Sequence, residues 1–150
     1  MDDIAYLIGQ ESTALDMLLA ALREEQDILK SGMADNLAAV IERKNRQLET
    51  LARHGRRRNE LLAGRGLKPD REGIAAWARS AGHEELGATF LALADEAREL
   101  NRLNGQLIAM RLQATQSALS TLAPGHGGQG LYGPSGKTSF ASGYRLIDSA

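Results

Sequence analysis

The residues able to do chemistry are few and scattered. His54, His83 and His126 lie far apart in the chain, with no second ligand at helical spacing from any of them. A metal site needs several donors converging on one point, so these read as surface histidines. Cysteine is absent, which removes thiolate zinc sites, disulfides and cysteine nucleophiles together. The acid pairs Glu24-Glu25, Glu84-Glu85 and Asp95-Glu96 are adjacent in sequence. On a helix they diverge, which suits solvated faces and not a shared acid–base site.

Two motifs invite a nucleic-acid or nucleotide reading. Leu131-Tyr-Gly-Pro-Ser-Gly136-Lys137-Thr138 nearly spells a phosphate-binding loop, but Leu131 stands where its first glycine is needed and Gly130 comes one place early. That loop must also follow a strand and open a helix, and a glycine tract precedes it here. The basic run Arg53-His54-Gly55-Arg56-Arg57-Arg58 has no aromatic residues interleaved for stacking on bases. Residues 1–31 carry seven acids and two bases, whereas 35–68 carry four acids and nine bases. Two neighbouring segments of opposite charge favour pairing with each other, so a solvated or internally paired face is expected and no nucleic-acid partner. No cofactor or metal is expected, and no catalysis.

More informative are polar residues within apolar stripes. Glu11, Glu25, Lys44, Asn104 and Arg111 fall at or beside heptad seam positions. The preferred reading puts them at the seam's edge, with their charged ends reaching solvent. The competing one buries Asn104 to fix register or oligomeric state.

The elements that must carry these residues are helices. Leu and Ala number 23 each against one Val, a composition with little material for a sheet. The fold class expected is all-α: an elongated antiparallel helical bundle or coiled coil of three long helices and one short one. The first helix is placed at about 3–31, with Ile8, Leu15, Leu22 and Leu29 as its heptad and Ile4, Leu7, Leu18 and Leu19 beside them. Gly32 stops it. Asp35 is expected to cap a second helix over 36–63, whose face is Leu37, Val40, Ile41, Leu48, Leu51 and Leu62. Asp70 caps a short helix over 71–80 with Ile74 and Trp77. The last helix covers 84–123, with Leu86, Leu93, Leu100 and Leu107 as its heptad, joined by Phe90, Ala97 and Leu103. Its stripe then drifts to Ile108, Leu112, Leu119 and Leu122. At about 60 Å against about 45 Å for the first helix, it must overhang, bend or be covered by another chain.

Residues 1–123 therefore form the bundle, and 124–150 a glycine-rich, flexible tail. The tail holds seven of the sixteen glycines, yet also half of the aromatics, Tyr132, Phe140 and Tyr144. A purely solvating linker needs no such anchors. The acidic start and the lack of any apolar run near the ~18 residues of a membrane span point to a cytoplasmic protein.

The chain resembles the FlgN family of flagellar type III export chaperones. The resemblance rests on Lys44, then Arg58-Asn-Glu-Leu61-Leu62 running to Gly66, Asn101-Arg-Leu-Asn104-Gly-Gln-Leu107-Ile108 in the long helix, and Leu131-Tyr132-Gly133-Pro134-Ser135-Gly136 in the tail. Ser135 stands where the family pattern leads one to expect an acid, and the glycine tract 125–130 lengthens the approach. The resemblance implies a chaperone that binds the hook-associated proteins FlgK and FlgL before export, shields their C-terminal helical segments and delivers them to the export gate. Asn104, Leu107, Ile108, Leu112, Leu119 and Leu122 are then the expected cargo groove. Leu131, Tyr132, Gly133, Pro134, Gly136, Phe140 and Tyr144 are the expected tail contacts, with Tyr132 docking on the gate protein FlhA. The free protein could be a homodimer through the same long helix. The rival reading is a permanent coiled-coil adaptor, which would need no aromatic tail.

Overall fold

A computed structural model describes residues 2–122. It contains α1 (Asp3–Ser31), α2 (Leu37–Gly64), α3 (Arg71–Ala81) and α4 (Glu84–Leu122), and no strand among the described residues. The tail placed at 124–150, with Leu131, Tyr132, Gly133, Pro134, Gly136, Phe140 and Tyr144, lies outside the described residues. The architecture is the expected all-helical bundle.

Local signals set the ends of the helices. The Asp2 carboxylate accepts the Ile4 N–H at 3.0 Å and so caps α1. Gly32 closes α1 in the left-handed region at φ 77°, a conformation that costs glycine nothing. At the end of α2 the Leu67 N–H reaches back to the Leu62 carbonyl and Gly66 N–H to that of Ala63. This is a Schellman closure, and Leu67 packs on the core beside it. Asp70 caps α3 by accepting the Gly73 N–H. The expected Asp35 cap is absent: Asn36 occupies the cap position with no side-chain bond. The Leu37 N–H instead bonds the Ala34 carbonyl, so a backbone turn supplies what the side chain was to provide.

α1 is the central element. α2 packs antiparallel along one side of it and α4 along another, while α3 closes the end where α2 returns. Pairings such as Glu11 with Arg58 and Glu25 with Lys44 fix the antiparallel sense of α2. Asn104 beside Leu22, and Arg111 over Gly32, show that α4 runs parallel to α1. All eight apolar α1 positions read from the heptad are buried. Around them lie Leu62, Ile74, Trp77 and Phe90, each no more than 1% exposed.

The seam of α4 differs from the leucine heptad. Leu86, Leu93, Leu100 and Leu107 are only half-buried, whereas Gly87, Phe90, Ala94, Ala97, Asn101 and Asn104 are enclosed. Small residues let the α4 backbone come close, and the leucines then cover the flanks of the contact. A Cβ on Gly87 would lie 2.8 Å from that of Ala78, so the crossing with α3 depends on that hydrogen.

Candidate functional site

The α1–α2 hairpin ends before α4 does. With 39 residues against 29, α4 is about 15 Å longer than α1 at about 1.5 Å per residue. The hairpin tip is marked by Arg111, whose guanidinium would stand 3.3 Å from a Cβ placed on Gly32. Beyond it α4 has no described helix against it. Leu119 is 54% exposed and Leu122 81%, with Met110 exposed as well. Leu107, Ile108 and Leu112 are half-buried at the root of this segment.

Ile108, Leu112, Thr115, Leu119 and Leu122 recur at steps of three and four, so they share one face. That face continues the α1-facing seam, displaced by one residue where Arg111 takes the seam position. From Leu112 to Leu122 there is no charged residue, whereas Glu84 to Arg111 carries eight. The result is a solvent-facing apolar ridge about three turns long with uncharged flanks. A helix from elsewhere could dock on it as α1 docks on the preceding part of α4.

Asn104 does not belong to this surface. It is fully enclosed, donating to the Leu22 carbonyl at 2.8 Å and to the Glu25 carboxylate at 2.9 Å. A docked helix cannot touch it, so the expected groove loses that member. Leu107, Ile108, Leu112, Leu119 and Leu122 all retain accessible surface.

The other seam polar residues are also interior, contrary to the expected snorkelling. Lys44 Nζ lies 3.0 Å from the Glu25 carboxylate, with side chains 5% and 1% exposed. Arg58 Nε lies 3.3 Å from Glu11 Oε1, and both side chains are shielded. The Arg58 guanidinium also sits 5.1 Å above the Phe90 ring, a cation–π contact linking α2 to α4. Snorkelling fails because both helices present these positions to each other's seam, leaving no route to water. Only Arg111 is exposed. Burial pushes Glu11 up to about 7, against the opposing pull of Arg58, and burial likewise lowers Arg58.

Arg58 was hidden in the basic run. Arg53, Arg56 and Arg57 are exposed, and Arg57 pairs with Glu60 on its own helix. The signal in the sequence was spacing: Lys44, Leu51 and Arg58 form one heptad, Glu11, Leu18 and Glu25 another. Antiparallel pairing matches acid to base at both ends and leucine to leucine between.

At the opposite end of the bundle, Asp2 joins three elements. Besides capping α1 it accepts the Trp77 indole N–H at 2.9 Å and pairs with Arg65 at 2.9 Å. Those bonds, Arg65 first, hold its carboxyl down at about 2. His83 stacks on Trp77, ring centroids 5.5 Å apart, and His54 is half-buried with its pKa lowered by burial. Among the described residues no group of three or more acids and histidines could hold a metal ion. No helix among them is long and apolar enough to cross a membrane.

Comparison with known proteins places these features in context. The family model described as FlgN protein matches residues 1–139. The flagella synthesis protein FlgN of Yersinia enterocolitica is 31% identical over 137 residues, 90% of this chain and 88% of that protein. In fold, the chain is similar to the crystal structure of a Pseudomonas aeruginosa protein described as a flagella synthesis protein FlgN. The TM-score is 0.65 at 22% identity, covering 94% of this chain and 90% of the other.

Proposed function

The chain belongs to the FlgN family, and from that premise we propose that it is a cytoplasmic export chaperone acting in flagellum synthesis. Its cargo is the amphipathic C-terminal helical segments of the hook-associated proteins FlgK and FlgL, which it keeps from assembling prematurely and carries to the export gate. The observation that supports this reading is the ridge Ile108–Leu112–Leu119–Leu122, an apolar seam that outruns the helix it packs on. An amphipathic helix laid there extends the bundle by the same packing that α1 uses.

Magnitudes fit a carrier that must let go. Fully burying a Leu or Ile side chain contributes about 1.5–3 kcal/mol, from which docking and ordering costs are subtracted. Four such positions, two of them already half-buried, give reversible binding and not a permanent joint. Tyr132, within Leu131–Gly136, is proposed to dock on the gate protein FlhA, and Phe140 and Tyr144 to add contacts there.

Titration of the C-terminal segments of FlgK and FlgL into the full chain and into residues 1–123 tests the assignment. Binding of similar strength to both forms supports a helical site. Binding to the full chain alone moves the site to the tail, and binding to neither removes the chaperone reading. For the gate contact, Tyr132→Ala should weaken FlhA binding while leaving cargo binding unchanged.

A further inference from the structure

We propose that residues 37–54 of α2 form a strap that opens away from α1 as a unit, turning about Gly55, while α1, α3, α4 and the far end of α2 stay packed. The inference is independent of the cargo reading and of the ridge on α4. It rests on how unevenly α2 is held.

Before Gly55 only Val40, Lys44 and Leu51 of α2 are buried. Leu51 is the one buried side chain that this stretch gives to the main apolar cluster, and Val40, though enclosed, lies outside it. The start of the helix is also weakly fixed. Asn36 makes no side-chain cap bond, no acid stands in the first turn, and residues 32–36 ahead of it are all exposed. The α2 backbone approaches α1 and, where it returns, α3, but nowhere α4.

Beyond Gly55 the same helix is anchored. Arg58 is enclosed between Glu11 and the Phe90 ring, and Arg65 pairs with Asp2. Leu62 belongs to the main cluster and Leu67 packs against it. Between the two regimes stands a glycine, which holds a helix less firmly than any residue but proline. No crowding asks for it there. A Cβ on Gly55 would meet Arg58 Nη2 at 3.4 Å and Glu11 Oε2 at 3.6 Å, both ordinary contacts.

The ion pairs of the strap oppose opening only weakly. Arg43 and Glu24 pair in water, where such a contact contributes little. Lys44 and Glu25 lose their mutual attraction on opening but regain hydration, and the two effects largely cancel. Glu25 keeps a donor in the open form, because Asn104 Nδ2 bonds it from α4 at 2.9 Å. Asn104 Oδ1, buried without a hydrogen-bond partner when the strap is closed, gains access to water. Opening uncovers the α1 side of the seam around Leu18 and Glu25. Released from α1, the strap loses its helix, since packing supplies most helical stability in proteins. Its amides then exchange with solvent while the rest of the bundle stays folded.

Hydrogen exchange of the full chain in sub-denaturing urea tests the device. Amides of residues 41–54 are expected to exchange as one group, at least tenfold faster than those of buried α1 residues and of residues 59–64. Urea should change the rate of that group little, because opening exposes little surface. Gly55→Ala, which the contacts above admit, should slow the group at least threefold, as alanine resists the turn. A strap that exchanges in step with α1 at every urea concentration overturns the proposal. So does a smooth fall in rate from residue 37 to residue 64 with no break near Gly55. A Gly55→Ala chain whose strap exchanges at the original rate overturns it as well.

Discussion

The Lys44 ammonium lies 3.0 Å from the Glu25 carboxylate and donates to both of its oxygens. Fourteen residues along each helix, Arg58 Nε lies 3.3 Å from Glu11 Oε1, a buried charge contact in which neither atom makes a hydrogen bond. Two buried ion pairs at equal spacing fit only one antiparallel register. Sliding α2 by a heptad would set Glu11 against Leu51 and leave buried charges unpaired. Leu18 and Leu51, between the two pairs, belong to one apolar cluster.

Removing one partner should therefore cost more than removing both. Lys44→Met leaves the Glu25 carboxyl buried without its cation and should destabilise the chain by about 3–5 kcal/mol. Glu25→Leu combined with Lys44→Met should recover most of that loss. Urea unfolding followed by circular dichroism gives both numbers.

Glu11 makes stability depend on pH in an unusual direction for a carboxylate. Its pKa rises from 4.5 to about 7 on folding because burial disfavours the charged form. The folded state thus holds a proton that the unfolded state has released. Its contribution is fully present below about 4.5 and is lost as pH rises to about 7, a change of order 3 kcal/mol at most. Glu11→Gln, which mimics the protonated acid beside Arg58, should flatten the slope between pH 4.5 and 7. Denaturation midpoints across that range for both forms check it.

Asp2 should be worth more than an ordinary cap. Asp2→Ala removes the α1 cap, the Trp77 indole partner and the Arg65 pair at once. A loss of about 1–2 kcal/mol is expected from the cap, with more from the indole N–H left without a partner. Trp77 is the sole tryptophan, so its emission reports directly on loosening at this end.

Asn104→Leu should destabilise the fold by about 1–3 kcal/mol, because Glu25 and the Leu22 carbonyl lose their buried donor. Asn104 faces its own α1, so the oligomeric state should not change. Thermal unfolding and sedimentation of the variant read the two effects separately.

How much of this the sequence revealed depended on how local the signal was. Gly32, Asp70 and the α1 heptad act within a turn or two of themselves, and each lies where it was read. The α4 seam was misread because leucines look like the core. Burial there follows closeness of approach, so Gly87, Ala94 and Ala97 lie inside and Leu86, Leu93 and Leu100 flank them. Arg58 was lost in a run of arginines because its partner, Glu11, is on another helix. The ridge was legible from the length of α4 alone, but its membership needed the hairpin tip, which puts Asn104 inside and Leu112 at the margin.

The central claim is that the ridge beyond Arg111 is where cargo docks. Its most direct test is calorimetric titration of the FlgK and FlgL C-terminal segments into the full chain and into the Leu119→Asp/Leu122→Asp variant. Both proteins are first shown to have equal helix content. Clear binding to the unaltered chain and a loss of at least tenfold in the variant are expected. Equal affinity for both proteins would contradict it.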